Sequence, residues 1–208
     1  MKTSETKYYD DALDNVPLNH NCGFFVGLVP YVGSIPWFFN IWRNISPGPL
    51  RDQRIGDKIS PVGISIKLWI GNKQDRPNTM HRVIVAVLPR QYNGVVTTTN
   101  FDPFQNMATG NRMLLPADTD KGVKFLYDRI IRMPPNQEKS NLDKEITCFK
   151  KLWIKSKKGS TITYNQALQQ IVNRPLALYV IPYEQYNTSQ ESVVASVSGM
   201  ARLYYKDV

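Results

Sequence analysis

The chain has 208 residues, 42% of them hydrophobic, with 26 Lys and Arg against 17 Asp and Glu, giving a net charge of +9. That length supports one domain with a real core, read as spanning 1–208, and the basic balance favours a polyanionic partner such as nucleic acid or an acidic surface. Composition argues against metal or redox chemistry: the 2 histidines, His20 and His81, and the 2 cysteines, Cys22 and Cys148, have no partners at ligand spacing.

The opening residues, "MKTSETKYYDDALDN", hold acids and tyrosines where a signal peptide needs an apolar run. No stretch approaches the roughly 18 apolar residues of a membrane span, so no membrane insertion is expected. The most apolar segment, "CGFFVGLVPYVGSIPWFFNIW" from Cys22 to Trp42, is interrupted by Gly23, Gly27, Pro30, Gly33 and Pro36, which excludes a continuous helix. Within an extended segment covering 1–50, this stretch has to be covered by something, and Phe24, Phe25, Trp37, Phe38, Phe39 and Trp42 are the candidate subunit-interface residues.

Alternation of period two, or enrichment in β-branched and aromatic residues, predicts strands over Lys58–Ile70, Arg82–Leu88, Val123–Met133, Glu145–Lys155, Leu176–Tyr183 and Ser192–Tyr205. Pro, Gly and Asn clusters at Ser46–Leu50, Gly71–Asn78, Asn93-Gly94 and Met133–Asn141 mark the turns between them. A single helix is expected at Thr163–Asn173, with Thr163 or Asn165 as its cap and Pro175 just beyond its end. Long strands joined by uneven connections, the longest from Pro89 to Lys121, predict an all-β chain: a single eight-stranded jelly-roll sandwich with long loops and at most one short helix.

No catalytic, metal or cofactor site is predicted. Lone histidines read as polar surface residues, and the pairs Asp10 with Asp11 and Asp118 with Asp120 read as solvated loop acids. "SKKGST", Ser156–Thr161, ends like a phosphate-cradling loop but lacks the upstream glycine. Binding is better supported. In "GISIKLWIGNK", Ile64, Ile66, Leu68 and Ile70 share one strand face, and Ser65, Lys67 and Trp69 share the other. "EITCFKKLWIKSKKGS" repeats the pattern, with Lys151, Trp153 and Lys155 opposite an apolar face and Lys157 and Lys158 beyond. Lysines neutralise phosphates while tryptophans offer bases a stacking surface. Arg51 and Arg54 add charge just before the first of these strands. The alternative is that the tryptophans pack on neighbouring strands and the lysine stems cover them.

Two segments carry a family resemblance: "ETKYYDDAL" at Glu5–Leu13 and "PGPLRDQRIGDKISPVGISIKLWI" at Pro47–Ile70, the latter with Arg54, Gly56, Lys58 and Ile59 leading into a long strand. They resemble the capsid proteins of circular, Rep-encoding single-stranded DNA viruses, the circovirus-like group. The later "HRVIVAVLPR" and "SGMARLYYKDV" fit the look of that family's later strands. The resemblance implies a jelly-roll coat protein, about 60 copies of which close a small T=1 icosahedral shell around circular single-stranded DNA, bound without sequence preference. It implies that the lysine and tryptophan faces line the inside of the virion and that the apolar Cys22–Trp42 segment is subunit interface. The resemblance also implies assembly in the host nucleus; family members usually begin with an arginine-rich arm that binds the genome and often serves as a nuclear localisation signal, whereas "MKTSETKYYDD" shows no such arm, which counts against import and arm-driven packaging by these residues. Two other classes compete with this reading: a monomeric single-strand-binding β-barrel, and a jelly-roll enzyme or sugar-binding module, the last weakened by the scarcity of histidine.

Overall fold

A computed structural model of the chain describes residues 5–21, 45–76, 78–87, 104–133, 146–157, 159–165, 170–171, 176–184, 188–189 and 192–208. Phe24, Phe25, Trp37, Phe38, Phe39, Trp42 and Lys158 lie outside the described residues. The strands are β1 (Thr6–Asn19), β2 (Lys58–Asn72), β3 (Met80–Val87), β4 (Lys124–Ile131), β5 (Thr147–Lys155), β6 (Ile162–Asn165), β7 (Gln170–Ile171), β8 (Leu176–Tyr183) and β9 (Val193–Asp207). Eight of these have four or more residues, β7 has two, and no helix occurs among the described residues.

The strands form two antiparallel sheets. One runs β1-β9-β2-β6-β7, with β5 also paired to β2, and the other runs β4-β3-β8. The chain changes sheets between β2 and β3, between β4 and β5, between β7 and β8, and between β8 and β9, so neighbours in space are distant in sequence. That is the order of a jelly-roll sandwich, as the strand pattern predicts.

Residue type decides which sheet faces are buried. Along β2, Ile64, Ile66, Leu68 and Ile70 are each at most 4% exposed, and they meet Val83 and Val85 of β3 and Leu178 and Val180 of β8 in the core between the sheets. β3 is different, because its residues from His81 to Ala86 are all buried. Val83 and Val85 face the inter-sheet core, while Ile84 and Ala86 join Phe104, Leu115, Val123, Tyr179 and Ile181 in a second core on the other side of that sheet. The lid of the second core comes from the end of the long connection, and Arg82 staples it down. Its guanidinium donates to the carbonyls of Arg112 at 2.6 Å and Leu115 at 2.8 Å and grips both carboxylate oxygens of Asp128 at 2.8 and 2.6 Å. A planar fork with five N–H donors suits this many-partnered position.

Four expectations need correction. The helix predicted at Thr163–Asn173 is replaced by β6 and β7: Lys58 and Ile59 pair with Thr163 and Ile162, while Tyr164 and Asn165 pair with Ile171 and Gln170. A cap-like Thr or Asn is a weak signal where a sheet edge offers backbone partners and a pocket buries Tyr164 to 3% exposure. Second, β1 is a full strand that period-two reading misses, because Lys7 and Asp11 fall on its inward side and a bulge at Asp14–Asn15 (Asn15 at φ 46°) switches the parity between Leu13 and Val16. Third, both histidines are buried rather than superficial: Nε2 of His81 lies 2.7 Å from the Asn72 side-chain oxygen, and Nδ1 of His20 accepts from the Glu184 amide at 3.1 Å. Fourth, Asp10 and Asp11 belong to β1 rather than to a loop, and Asp118 is buried, with its carboxylate 2.7 Å from the Lys121 ammonium.

Candidate nucleic-acid interface

The sheet β5-β2-β9-β1 has one face in the core and one in solvent, and the predicted lysine and tryptophan residues occupy the solvent face. Register, rather than sequence proximity, brings them together. Trp69 lies opposite Phe149, Lys67 opposite Lys151, Ser65 opposite Trp153, and Gly63 opposite Lys155. Across the other edge of β2, Trp69 faces Ser198, Lys67 faces Met200, Ser65 faces Arg202 and Gly63 faces Tyr204. β1 extends the same rows with Ala12 beside Met200, Asp10 beside Arg202 and Tyr8 beside Tyr204.

The result is a surface of alternating aromatic and cationic rows. Trp69, Trp153 and Phe149 are 56%, 52% and 63% exposed, so more than half of each side chain is available to a ligand. Trp153 is nevertheless seated: its ring lies 5.6 Å, centroid to centroid, from Tyr204 and extends over Gly63. A Cβ on Gly63 would stand 2.5 Å from a ring carbon of Trp153, so glycine here makes the room the indole occupies. Between the aromatic rows is a shallow depression of about 170 Å³ lined by Ser65, Lys67, Lys151, Met200, Arg202 and Tyr204.

Charge is unevenly divided over this face. On the β1 side, Arg202 is matched by Asp10, with two contacts of 2.7 Å, and its guanidinium lies 4.4 Å from the Tyr8 ring centroid. The Asp10 carboxylate holds the Arg202 pKa above its ordinary value. On the β5 side, Lys67, Lys151 and Lys155 are exposed, with no acid directly opposite them in the strand register.

The other predicted basic residues divide. Arg51 is exposed and lies 4.8 Å from the Tyr8 ring centroid, at the rim of the same face. Lys157 is exposed beyond the end of β5. Arg54 does not belong to the site. It is 3% exposed, stacks 4.1 Å from the Tyr164 ring centroid, and donates to the carbonyls of Ile45 and Gly56, so its guanidinium is turned inward and spent on the fold. Sequence reasoning misses Tyr204, Arg202, Met200 and Tyr8 as parts of this surface, and assigns no role to Phe149. β9 carries the missing signal as alternation, but only pairing shows that the outward residues of β9 and β1 continue the rows of β2 and β5.

The two segments that carry the family resemblance also meet. The Lys7 ammonium donates to the carbonyl of Gln53 at 2.9 Å and lies 2.9 Å from the Asp207 carboxylate, whose other oxygen accepts from the Ile55 amide at 2.9 Å. Lys7 of the first segment and Gln53 to Ile55 of the second thus form one knot with the end of β9. Among the described residues no cluster of three or more His, Cys, Asp or Glu side chains is placed to hold a metal, and no helix is long and apolar enough to cross a membrane.

No protein-family profile matches the chain, and no curated protein matches it. Among solved structures, it is similar to a chain of the cryo-EM structure of Mud Crab Dicistrovirus, with 13% identity, a TM-score of 0.30, and coverage of 95% of this chain and 68% of that one. A likeness of that size leaves the assignment of the fold to the sheet order itself.

Proposed function

We propose that the protein is a viral coat protein, a structural rather than catalytic chain that assembles with copies of itself into a closed icosahedral T=1 shell of about 60 subunits around circular single-stranded DNA. The observation that carries this reading is the knot at Lys7. The two short segments resembling circovirus-like capsid proteins are far apart in sequence, yet they are packed together at one corner of a jelly-roll sandwich, joined through Gln53, Ile55 and Asp207. Segments that specify one another's placement belong to one architecture, which supports treating the resemblance as a whole.

In such a shell the solvent face of β5-β2-β9-β1 would look inward. Lys67, Lys151, Lys155, Lys157 and Arg51 would neutralise phosphates without reading bases, so DNA retention would be sequence-independent and salt-sensitive. The apolar Cys22–Trp42 stretch would be covered by neighbouring subunits. The site of action would be the virion, with no cofactor and no membrane insertion.

The test is size-exclusion chromatography read at 260 and 280 nm, followed by negative-stain electron microscopy. Uniform closed particles of roughly 60 subunits support the proposal, and the absorbance ratio reports packaged nucleic acid. A monomer at every salt concentration and pH tried overturns it and favours the single-strand-binding β-barrel.

A further inference from the structure

Lys67 and Lys151 stand directly opposite one another on adjacent antiparallel strands. Like charges in that position repel, and a sheet gains nothing from the pairing unless something anionic sits between them. Neither cross-strand neighbour of Lys67 is acidic, since the second is Met200. The lysine row is bounded on one side by the Trp69–Phe149 row and on the other by Trp153 opposite Ser65, with Tyr204 against the Trp153 ring. Asp10, a carboxylate on the same face, is already engaged by both the Nε and the Nη2 of Arg202.

We infer that this surface is a built stacking site for a short run of single-stranded nucleic acid: one base on Trp69 and Phe149, a second on Trp153 and Tyr204, and the intervening phosphates on Lys67 and Lys151. The spacing suits it. Rows on one face of a strand repeat every two residues, about 6.8 Å, so the Trp69–Phe149 and Ser65–Trp153 rows, with the lysine row between them, are about 13.6 Å apart, four times the roughly 3.4 Å rise of stacked bases in one duplex strand. A strand that spans this gap is stretched, with its bases unstacked from each other and free to stack on side chains, while the phosphates between the two seated bases fall on the lysine row. Duplex DNA, whose bases are already stacked and paired, cannot use the aromatic rows. Single-stranded nucleic acid satisfies both features of the surface, because its phosphates relieve the lysine pair and its bases cover the exposed indoles. The inference deepens the coat-protein reading, since it names how packaged DNA is held, but it rests on that reading only for the source of the strand.

The experiment is fluorescence anisotropy of labelled oligonucleotides with the unassembled full chain, comparing a thymidine nonamer, the same nonamer with abasic sites, and a duplex. Assembly is scored separately by electron microscopy, so failure of stacking and failure of shell formation give different results. The expected result is that the abasic strand and the duplex bind at least tenfold more weakly than the thymidine strand. Trp69→Ala is expected to weaken the thymidine strand by roughly 5- to 150-fold and to leave the abasic strand unchanged. Lys67→Ala with Lys151→Ala is expected to weaken all three and lower the log K against log salt slope by about 1.4. Because Trp153 is partly packed, Trp153→Phe, which keeps a ring, serves as the conservative variant and should retain most of the stacking preference. Equal binding of thymidine and abasic strands overturns the inference. So does a Trp69→Ala chain that binds DNA normally but no longer assembles, which would make the face a contact between copies of the chain.

Discussion

β2 and β3 follow one another in the chain but sit in different sheets, and they solve opposite burial problems. β2 buries Ile64, Ile66, Leu68 and Ile70 and exposes Lys67 and Trp69 between them. β3 buries both of its faces, one against the other sheet and one beneath the 104–123 segment that Arg82 anchors. The sheet containing β3 is therefore closed to ligands along that strand, and the sheet containing β2 has a free face. What the contrast teaches is that alternation marks a surface the fold leaves open, whereas a continuous apolar run marks one that something else must cover.

The contrast can be broken most severely within β2 itself. Leu68→Ala is expected to cost about 2–5 kcal/mol, because the leucine is fully buried in the inter-sheet core, while Trp69→Ala, one residue later on the open face, should cost under about 1 kcal/mol. Urea unfolding of the pair checks this, and equal losses would mean that the open face is covered. Next in size is Arg82→Ala, expected to cost about 3 kcal/mol by removing the staple from the cover over β3 and leaving carbonyls unpartnered. Arg82→Lys should recover only part of it, since an ammonium cannot reproduce the bidentate grip on Asp128. Hydrogen exchange of the 104–123 amides would show whether the loss is localised there.

Per pH unit, the effect of acid is smaller. Burial pushes the His81 pKa down from 6.5 to about 3, so the folded protein keeps this imidazole neutral where the unfolded chain protonates it. Between those values the unfolded state binds more protons, so stability is fully present above about pH 6.5 and falls as pH drops toward 3, by up to about 1.4 kcal/mol per pH unit. Denaturation of His81→Gln across that range should show a flatter profile, and an unchanged slope would assign the acid sensitivity elsewhere. The smallest expected change is Gly63→Ala. Its Cβ displaces the Trp153 indole at a stability change within about 1 kcal/mol, seen as a shift in tryptophan emission and a lower affinity for single strands.

Much of the fold is legible in the residue pattern. The six predicted strands correspond to β2, β3, β4, β5, β8 and β9, because each presents either clean alternation or an uninterrupted β-branched run. β1 is hidden because its inward positions include Lys7 and Asp11 and its bulge resets the parity. The hairpin of β6 and β7 is hidden because "TYNQALQQIVN" has acceptable helix propensity, and only the backbone groups of β2 make the extended form better. Arg54 escapes correct assignment because a basic residue buried beneath a tyrosine ring looks the same in sequence as an exposed one.

By itself, the sequence determined the all-β class, the inward and outward sides of β2 and β5, and the excess of cationic charge, because these follow from local side-chain pattern and composition. Only the tertiary structure decided that β5 and β9 flank β2 and set Lys67 opposite Lys151. It also placed Tyr204 against Trp153 and turned Arg54 inward while leaving Arg51 out. Those facts depend on which backbones hydrogen-bond between strands that are far apart in the chain. Local pattern specifies a strand's faces, but pairing partners and register are chosen by the packing of the whole sandwich.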